Sequence, residues 1–258
     1  MEKRNNLAVL QARISSNRLP GKVLMEVNGK PMIYWQIQRI LQSKEISKLV
    51  VATSDHPTDD VLVKYLESIN CEFVRGSLDD VLARFVKVES IYSPDSIIRL
   101  TGDCPLVMPE LIDSMLKKFY EVNVQYLSNI MELTYPDGLD IEIIKAGTLN
   151  KLSAMNPLSN EREHVTLGII NRMDQFSSFN VANLSDLSSY RWTVDTEEDL
   201  AFVRAVFKAF TSRETDFNFK DFRVDMSFGK RRIFIMFCSV DRFGESNLKE
   251  NDRRTKSY

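Results

Sequence analysis

Apolar residues over the first hundred or so positions fall into two alternating rhythms. Short runs rich in β-branched residues occupy Leu7–Gln11, Leu49–Thr53, Cys71–Val74 and Ser96–Leu100. Runs of this length and composition read as buried strands. Between them the apolar positions recur at helical spacing. "PMIYWQIQRILQS" opens at Pro31, "PTDDVLVKYLESI" at Pro57, "SLDDVLARFVKVESIY" at Ser77 and "PELIDSMLKKFYEV" at Pro109. Proline suits the first helical position, Ser77 reads as an N-cap, and acids gather in the first turn after Pro57. Strand and helix alternating over short links predict right-handed βαβ units and a parallel sheet covered on both faces. In such sheets ligands collect at the carboxyl ends of the strands.

After about residue 125 the rhythm loosens. "QYLSNIMELTYPDGLDIEII" reads as two extended pieces joined by a Pro-Asp-Gly turn. Helical spacing returns near 147–156 and 161–172, and a strand is expected around Phe176–Val181. "YRWTV" reads as a short strand, and "DTEEDLAFVRAVFKAF" as a helix with acids in its N-terminal turn. With no tandem repeat and no long linker, the expected organisation is one domain over 1–212 with an inserted lobe at about 125–185. Residues 213–258 form an unassigned extension. In it, "GKRRIFIMFCSV" reads as a further strand or buried segment, and the polar "NLKENDRRTKSY" as disordered.

Composition narrows the classes. A chain of 258 residues, 43% hydrophobic and 27% charged, is that of an ordinary globular protein. No window approaches the ~20 apolar residues of a bilayer span, and "MEKRNN" lacks a signal-peptide core, so no membrane role is expected. A net charge of -2 argues against a nucleic-acid partner, and any anion site must be local. Three scattered cysteines form neither metal spacing nor a disulfide framework, which points to a reduced, cytoplasmic setting.

Three strand-end segments carry candidate chemistry. "LQARISSNRLPGKVL" follows the first strand and holds Arg13, Arg18 and Lys22 among Ser15, Ser16 and Gly21. It fits neither glycine fingerprint for phosphates, and it is far longer than an ordinary βα link. Guanidinium forks and a mobile ammonium could surround a triphosphate; a solvated basic loop is the competing reading. In "IIRLTGDCPLV", Asp103 ends a strand and could hold Mg²⁺, which favours one or two carboxylates plus phosphates and water. It could equally cap the next helix. In "RWTVDTEEDL", Asp195 ends a strand in the same way, whereas Glu197, Glu198 and Asp199 suit the helix dipole. Two acids facing three cations follow the logic of phosphoryl or nucleotidyl transfer.

"QARISSNRLPGKVL" followed by "NGKPMIYW" resembles the start of the CTP-dependent acidic-sugar cytidylyltransferases, the CMP-Kdo and CMP-sialic acid synthetases among them. The likeness is greatest to the SpsF-like subgroup. "VVATSDHPTDD", "FVRGSLDDVLARF", "RLTGDCPLV", "TYPDGLDIE", "EREHVT" and "RWTVDTEEDL" follow in that subgroup's order, so that the likeness spans residues 7 to about 205. The resemblance implies a Rossmann-like nucleotide-diphospho-sugar transferase fold, with a mostly parallel sheet, helices on both faces and a small lobe for sugar binding and dimerisation. It also implies that Arg13, Ser16, Arg18, Gly21 and Lys22 wrap the triphosphate, with Lys22 stabilising the α-phosphate and Arg13 also taking part in catalysis. Asp103 and Asp195 would bind Mg²⁺, Asp103 taking part in catalysis. Arg75 and Ser77 would approach the cytidine, and Asp140, Glu142, Glu163 and His164 the sugar. Bland roles compete: Arg75 could pair with Asp79 or Asp80, His164 could be structural, and Cys104 could serve packing.

The implied activity is transfer of CMP from CTP to the anomeric hydroxyl of an acidic sugar, a nonulosonic acid such as pseudaminic or legionaminic acid, by a homodimer that releases pyrophosphate for glycan synthesis. Two other classes stay open. One is a GT-A-like glycosyltransferase, which would usually carry Asp-x-Asp where "TGDCP" has one aspartate. The other is a catalytically silent nucleotide-binding protein. Beyond about residue 212 the resemblance ends.

Overall fold

The computed structural model describes residues 4–225 and 232–235 and divides into two compact units, Met1–Asp216 and Phe217–Tyr258. The larger begins with β1 (Asn6–Gln11), a loop, and an antiparallel ribbon of β2 (Glu26–Val27) and β3 (Lys30–Pro31) that leads into α1 (Met32–Ile40). Then come β4 (Lys48–Ser54), α2 (Asp60–Ser68), β5 (Phe73–Gly76), α3 (Val81–Tyr92), β6 (Ser96–Thr101) and α4 (Pro109–Val122). The remainder is β7 (Tyr126–Ser128), β8 (Glu142–Lys145), α5 (Thr148–Ala154), α6 (Ser159–Glu163), α7 (Leu167–Ile170), β9 (Ser178–Asn180) and α8 (Glu197–Ala209).

Seven strands form one sheet in the order β5-β4-β1-β6-β8-β7-β9. β5, β4, β1 and β6 run parallel, β8 runs against both of its neighbours, and β9 runs parallel to β7. The mostly parallel α/β architecture read from the sequence is present. β1 shows how two-residue periodicity covers both faces. Ala8 and Leu10 pack with Ile33 and Ile37 of α1, Leu62 of α2 and Ile112 of α4. Leu7 and Val9 pack with Phe85 of α3, Leu149 of α5 and Ile169 of α7. From β1 the chain moves outward to β4 and β5, then returns to lay β6 on the other side of β1. The order therefore reverses between β1 and β6, and a crevice opens outside their carboxyl ends.

Several elements depart from the sequence reading. The helix expected from Ser77 starts at Val81, because Asp80 is the N-cap and accepts from Ala83 N at 2.9 Å. The stretch 161–172 is two short helices. They break at fully buried Val165, which takes a φ of 50°, a rare conformation for a β-branched residue. "YRWTV" makes no ladder, only an isolated bridge between Arg191 and Asp137. Its neighbours are loops, so Trp192 N donates to Asp137 O at 2.6 Å and Val194 N to Asp103 O at 2.8 Å. The Pro-Asp-Gly turn does not close a tight hairpin; it packs against this segment, where a Cβ on Gly138 would lie 2.5 Å from Thr193 N. No alanine fits there without moving backbone.

In the smaller unit β10 (Phe222–Asp225) pairs antiparallel with β11 (Arg232–Ile235), within the segment read as a further strand. The polar 247–258 stretch, expected to be disordered, lies outside the described residues. Among the described residues no helix is long and apolar enough to cross a membrane.

Candidate active site

The β1–α1 loop is held at both ends. Asp59, fully buried after β4, accepts Ile14 N at 2.7 Å, Ser54 N at 3.1 Å and Thr53 Oγ1 at 3.2 Å, as well as the Ser54 hydroxyl. That carboxylate ties the start of the loop to the β4–α2 turn. Further on, Ser16 N and Gly21 N both donate to Ile14 O, at 2.8 and 2.9 Å, which folds the loop back on itself. Gly21 has a φ of 76° and starts the 3₁₀ turn Lys22–Leu24, the point from which Lys22 reaches into the molecule. On the far side, Gly102 N donates to Gln11 O at 2.8 Å, and a Cβ on Gly102 would lie 3.0 Å from the Ala12 Cβ. The glycine ahead of Asp103 thus admits the neighbouring strand end.

Lys22 is buried and its ammonium bridges the two acids. Nζ donates to Val194 O at 2.7 Å, Asp195 Oδ1 at 3.0 Å and Asp103 Oδ2 at 3.2 Å. The two acids are also joined through the main chain, since Asp103 O accepts both Val194 N, at 2.8 Å, and Thr193 Oγ1, at 3.2 Å. Asp195 Oδ2 accepts Arg18 at 2.8 Å and Arg191 at 2.5 Å. Burial pushes the Asp195 carboxyl up, but the Lys22 and Arg191 hydrogen bonds and the Arg18 charge outweigh it and hold the group below the usual carboxylate range.

Arg191, which the sequence reading missed, also binds Asp137 at 2.7 Å and Asp199 at 3.1 Å. Asp199 in turn caps α8 by accepting Asp195 N and Thr196 N at 2.8 and 2.9 Å. It does more than answer the helix dipole. The signal for Arg191 is its spacing: Asp195 and Asp199 stand four and eight residues beyond it.

A cavity of about 380 Å³ lies over these groups, lined by Gln11, Arg13, Ser16, Arg18, Lys22, Gly102, Asp103, His164 and Asp195 among others. Arg13 is half-buried on its wall and has no ion-pair partner among the described residues. Ser15 Oγ nearby in the loop is buried without a hydrogen bond. His164 is exposed and lines the cavity, while Glu163 is exposed on α6. Glu142 points inward and is buried; its oxygens take Arg99, Tyr126 Oη at 2.6 Å and Thr166 Oγ1. It braces the wall through Arg99, which donates to Gln11 Oε1 at 3.2 Å.

Asp140, half-buried beside β8, has its carboxyl pushed up to about 6 by burial and by the charges of Asp137 and Glu142. Arg75, at the end of β5, pairs with Asp60 at 2.7 Å, not with Asp79 or Asp80, and also donates to Ser54 O. Asp80 is taken by Arg162 at 2.6 Å. Ser77 accepts Asp80 N at 3.1 Å, ordering the β5–α3 turn. Neither Arg75 nor Ser77 lines the cavity. Burial first, then the charge of Asp103, pushes the Cys104 thiol well above its usual value, so it is no nucleophile.

A sequence profile of the family described as "Cytidylyltransferase" matches residues 7–167. The chain belongs to the cytidylyltransferase family. It is 36% identical over 209 residues to the spore coat polysaccharide biosynthesis protein SpsF of Bacillus subtilis (strain 168), covering 78% of this chain and 86% of that protein. A solved cytidylyltransferase from Leptospira borgpetersenii superposes with a TM-score of 0.78 at 31% identity, covering 85% of this chain and 91% of that one. A CMP:2-keto-3-deoxy-manno-octonic acid synthetase solved with CTP shares the fold, with a TM-score of 0.61 at 20% identity over 80% of this chain and 99% of that one. This cytidylyltransferase is therefore a nucleotidyltransferase, and its mixed seven-stranded sheet is that of its relatives.

Proposed function

We propose that this cytidylyltransferase transfers CMP from CTP to the anomeric hydroxyl of an acidic sugar, a nonulosonic acid such as pseudaminic or legionaminic acid, and releases pyrophosphate. The new bond joins the sugar oxygen to the α-phosphorus while the bond from that phosphorus to the β-phosphate bridge breaks in line. The observation that carries the reading is the meeting of Lys22 with Asp103 and Asp195 at the strand-order reversal, beneath a loop whose Arg13 has no ion-pair partner among the described residues.

Among the described residues no group of three or more His, Cys, Asp or Glu could hold a metal ion. A carboxylate pair is nevertheless the set that suits Mg²⁺, whose remaining positions go to phosphates and water. Asp103 keeps an oxygen, Oδ1, that faces only the Cys104 thiol at 3.5 Å. We assign Asp103 and Asp195 to Mg²⁺, which when bound neutralises phosphate charge. Arg13, Arg18 and Lys22 supply cations to the triphosphate, and the Ser15 and Ser16 hydroxyls supply donors. Asp140 does not line the cavity; it senses the charge of Asp103, and we assign it to take the hydroxyl proton. His164 and Glu163 border the space for the sugar.

The similarity to SpsF, a protein of spore coat polysaccharide biosynthesis, favours a glycan-directed sugar. The test is pyrophosphate release with Mg²⁺ and a panel of sugar acids, CTP being compared with ATP, GTP and UTP. CTP-selective turnover is expected, with a loss of about a hundredfold or more in Asp103→Ala. Turnover with UTP alone, or unchanged turnover in Asp103→Ala, rejects the assignment.

A further inference from the structure

The three N–H donors of Lys22 are spent on three oxygens, those of Val194, Asp195 and Asp103. An ammonium buried this deeply is stable only because it is paired. On the other side of the pairing, Asp195 has neither oxygen to spare. Oδ1 holds Lys22, and Oδ2 holds both Arg18 and Arg191. A dication cannot approach Asp195 Oδ1 while the ammonium stays 3.0 Å away, because the two positive charges would face each other across a single oxygen. Arg191 is not free to make way, since it is also anchored to Asp137 and Asp199. Lys22 is different. Its four-carbon stem lets the charged end travel without movement of the loop backbone, and it adjoins a cavity lined by Arg13, which has no ion-pair partner among the described residues.

We infer that Lys22 and the divalent cation are alternative occupants of the Asp103–Asp195 pair. The lysine keeps the two acids together in the empty enzyme, and the metal evicts its ammonium into the cavity as a free donor for the triphosphate. This rests on the metal assignment made under Proposed function. One charge leaves the acid pair and two arrive. Metal and triphosphate then favour each other's binding by linkage, because whatever captures the released ammonium also vacates the metal position.

The experiment uses Mn²⁺ alone as the probe, titrated without nucleotide and read by electron paramagnetic resonance, on the wild type and on Lys22→Met. Circular dichroism checks that the variant folds. Removing a competing charge at this range should tighten Mn²⁺ binding by about tenfold. A second measurement needs no variant. Wild-type enzyme is acetylated briefly with acetic anhydride, with and without saturating Mg²⁺, and modification is read by mass spectrometry. Lys22 should be protected without metal and several-fold more reactive with it, while exposed Lys117 should not change.

Equal or weaker Mn²⁺ affinity in Lys22→Met overturns the inference. So does a Lys22 that stays protected while the metal is bound. Failure of the underlying assignment looks different: Mn²⁺ binding that persists in Asp103→Ala, or no binding in any form, removes the metal from this site altogether.

Discussion

Asp140 is the residue whose charge state the fold perturbs most usefully. Its carboxyl is pushed from 3.8 up to about 6 by burial and by neighbouring carboxylates. The native state therefore holds the Asp140 proton more tightly than the unfolded chain does, and ionising the group costs stability as pH rises from about 4 to about 6. Asp140→Asn removes that cost. Relative to the wild type it should gain stability across this window and level off above it, by about 3 kcal/mol, in urea unfolding followed against pH. Its turnover at neutral pH should fall if Asp140 takes the hydroxyl proton. Glu142 lies two residues away and answers to a different constraint, because it neutralises Arg99 inside the protein. Glu142→Ala leaves a buried guanidinium without a counter-charge and should cost about 3–5 kcal/mol in the same unfolding measurement. Neither role is readable from the "GLDIE" run alone. Both acids look equally available in one dimension; Glu142 opens β8 and pairs with Arg99 inside the protein, while Asp140 precedes the strand.

At the scale of elements, β1, β4, β5, β6 and α1 to α4 were legible because each is local: its periodicity is its own. Lys22 and Asp103 were legible as candidates for a related reason, since each follows a strand of a sheet whose ligands gather there, whereas Asp195 was picked out by a strand that does not form. What escaped depends on partners remote in the chain. Asp59 stands inside "HPTDD", where it looks like a helix-start acid, yet its carboxylate anchors the β1–α1 loop at Ile14 N. Asp59→Ala strands several buried donors and should cost about 2–3 kcal/mol. Because the same carboxylate seats the loop proposed to hold the triphosphate, KM for CTP should rise in steady-state kinetics. Partial rescue by Asp59→Asn, which keeps an acceptor oxygen, separates this seating role from simple loss of stability. "YRWTV" misled for a related reason. It has the composition of a strand, but its neighbours offer carbonyls from loops and no ladder forms. The break at Val165 left no sequence signal either, since valine is among the residues least expected at positive φ.

For the molecule as a whole, binding couples to stability through the crevice at the order reversal, where segments from residues 13–22, 103 and 195 converge. A ligand bound only by the folded state stabilises it by about 2.7 kcal/mol at a hundred times its Kd. CTP with Mg²⁺ should therefore raise the thermal midpoint by several degrees in a fluorescence melt, and ATP with Mg²⁺ by much less. The shift should be lost in Asp103→Ala. The peptide carbonyl of Asp103 has a larger meaning at this scale, for it receives the chain again at Thr193 and Val194. Everything from Cys104 to Trp192 is thus a detour that leaves one peptide group and returns to it. That detour contributes three of the seven sheet strands, β7, β8 and β9, and the histidine on the cavity wall. Side chains of the detour that do not meet the acids, as Arg191 meets Asp195, can change without altering the gap between the two acids. Under the proposed function, acceptor choice and phosphate chemistry are thereby separable.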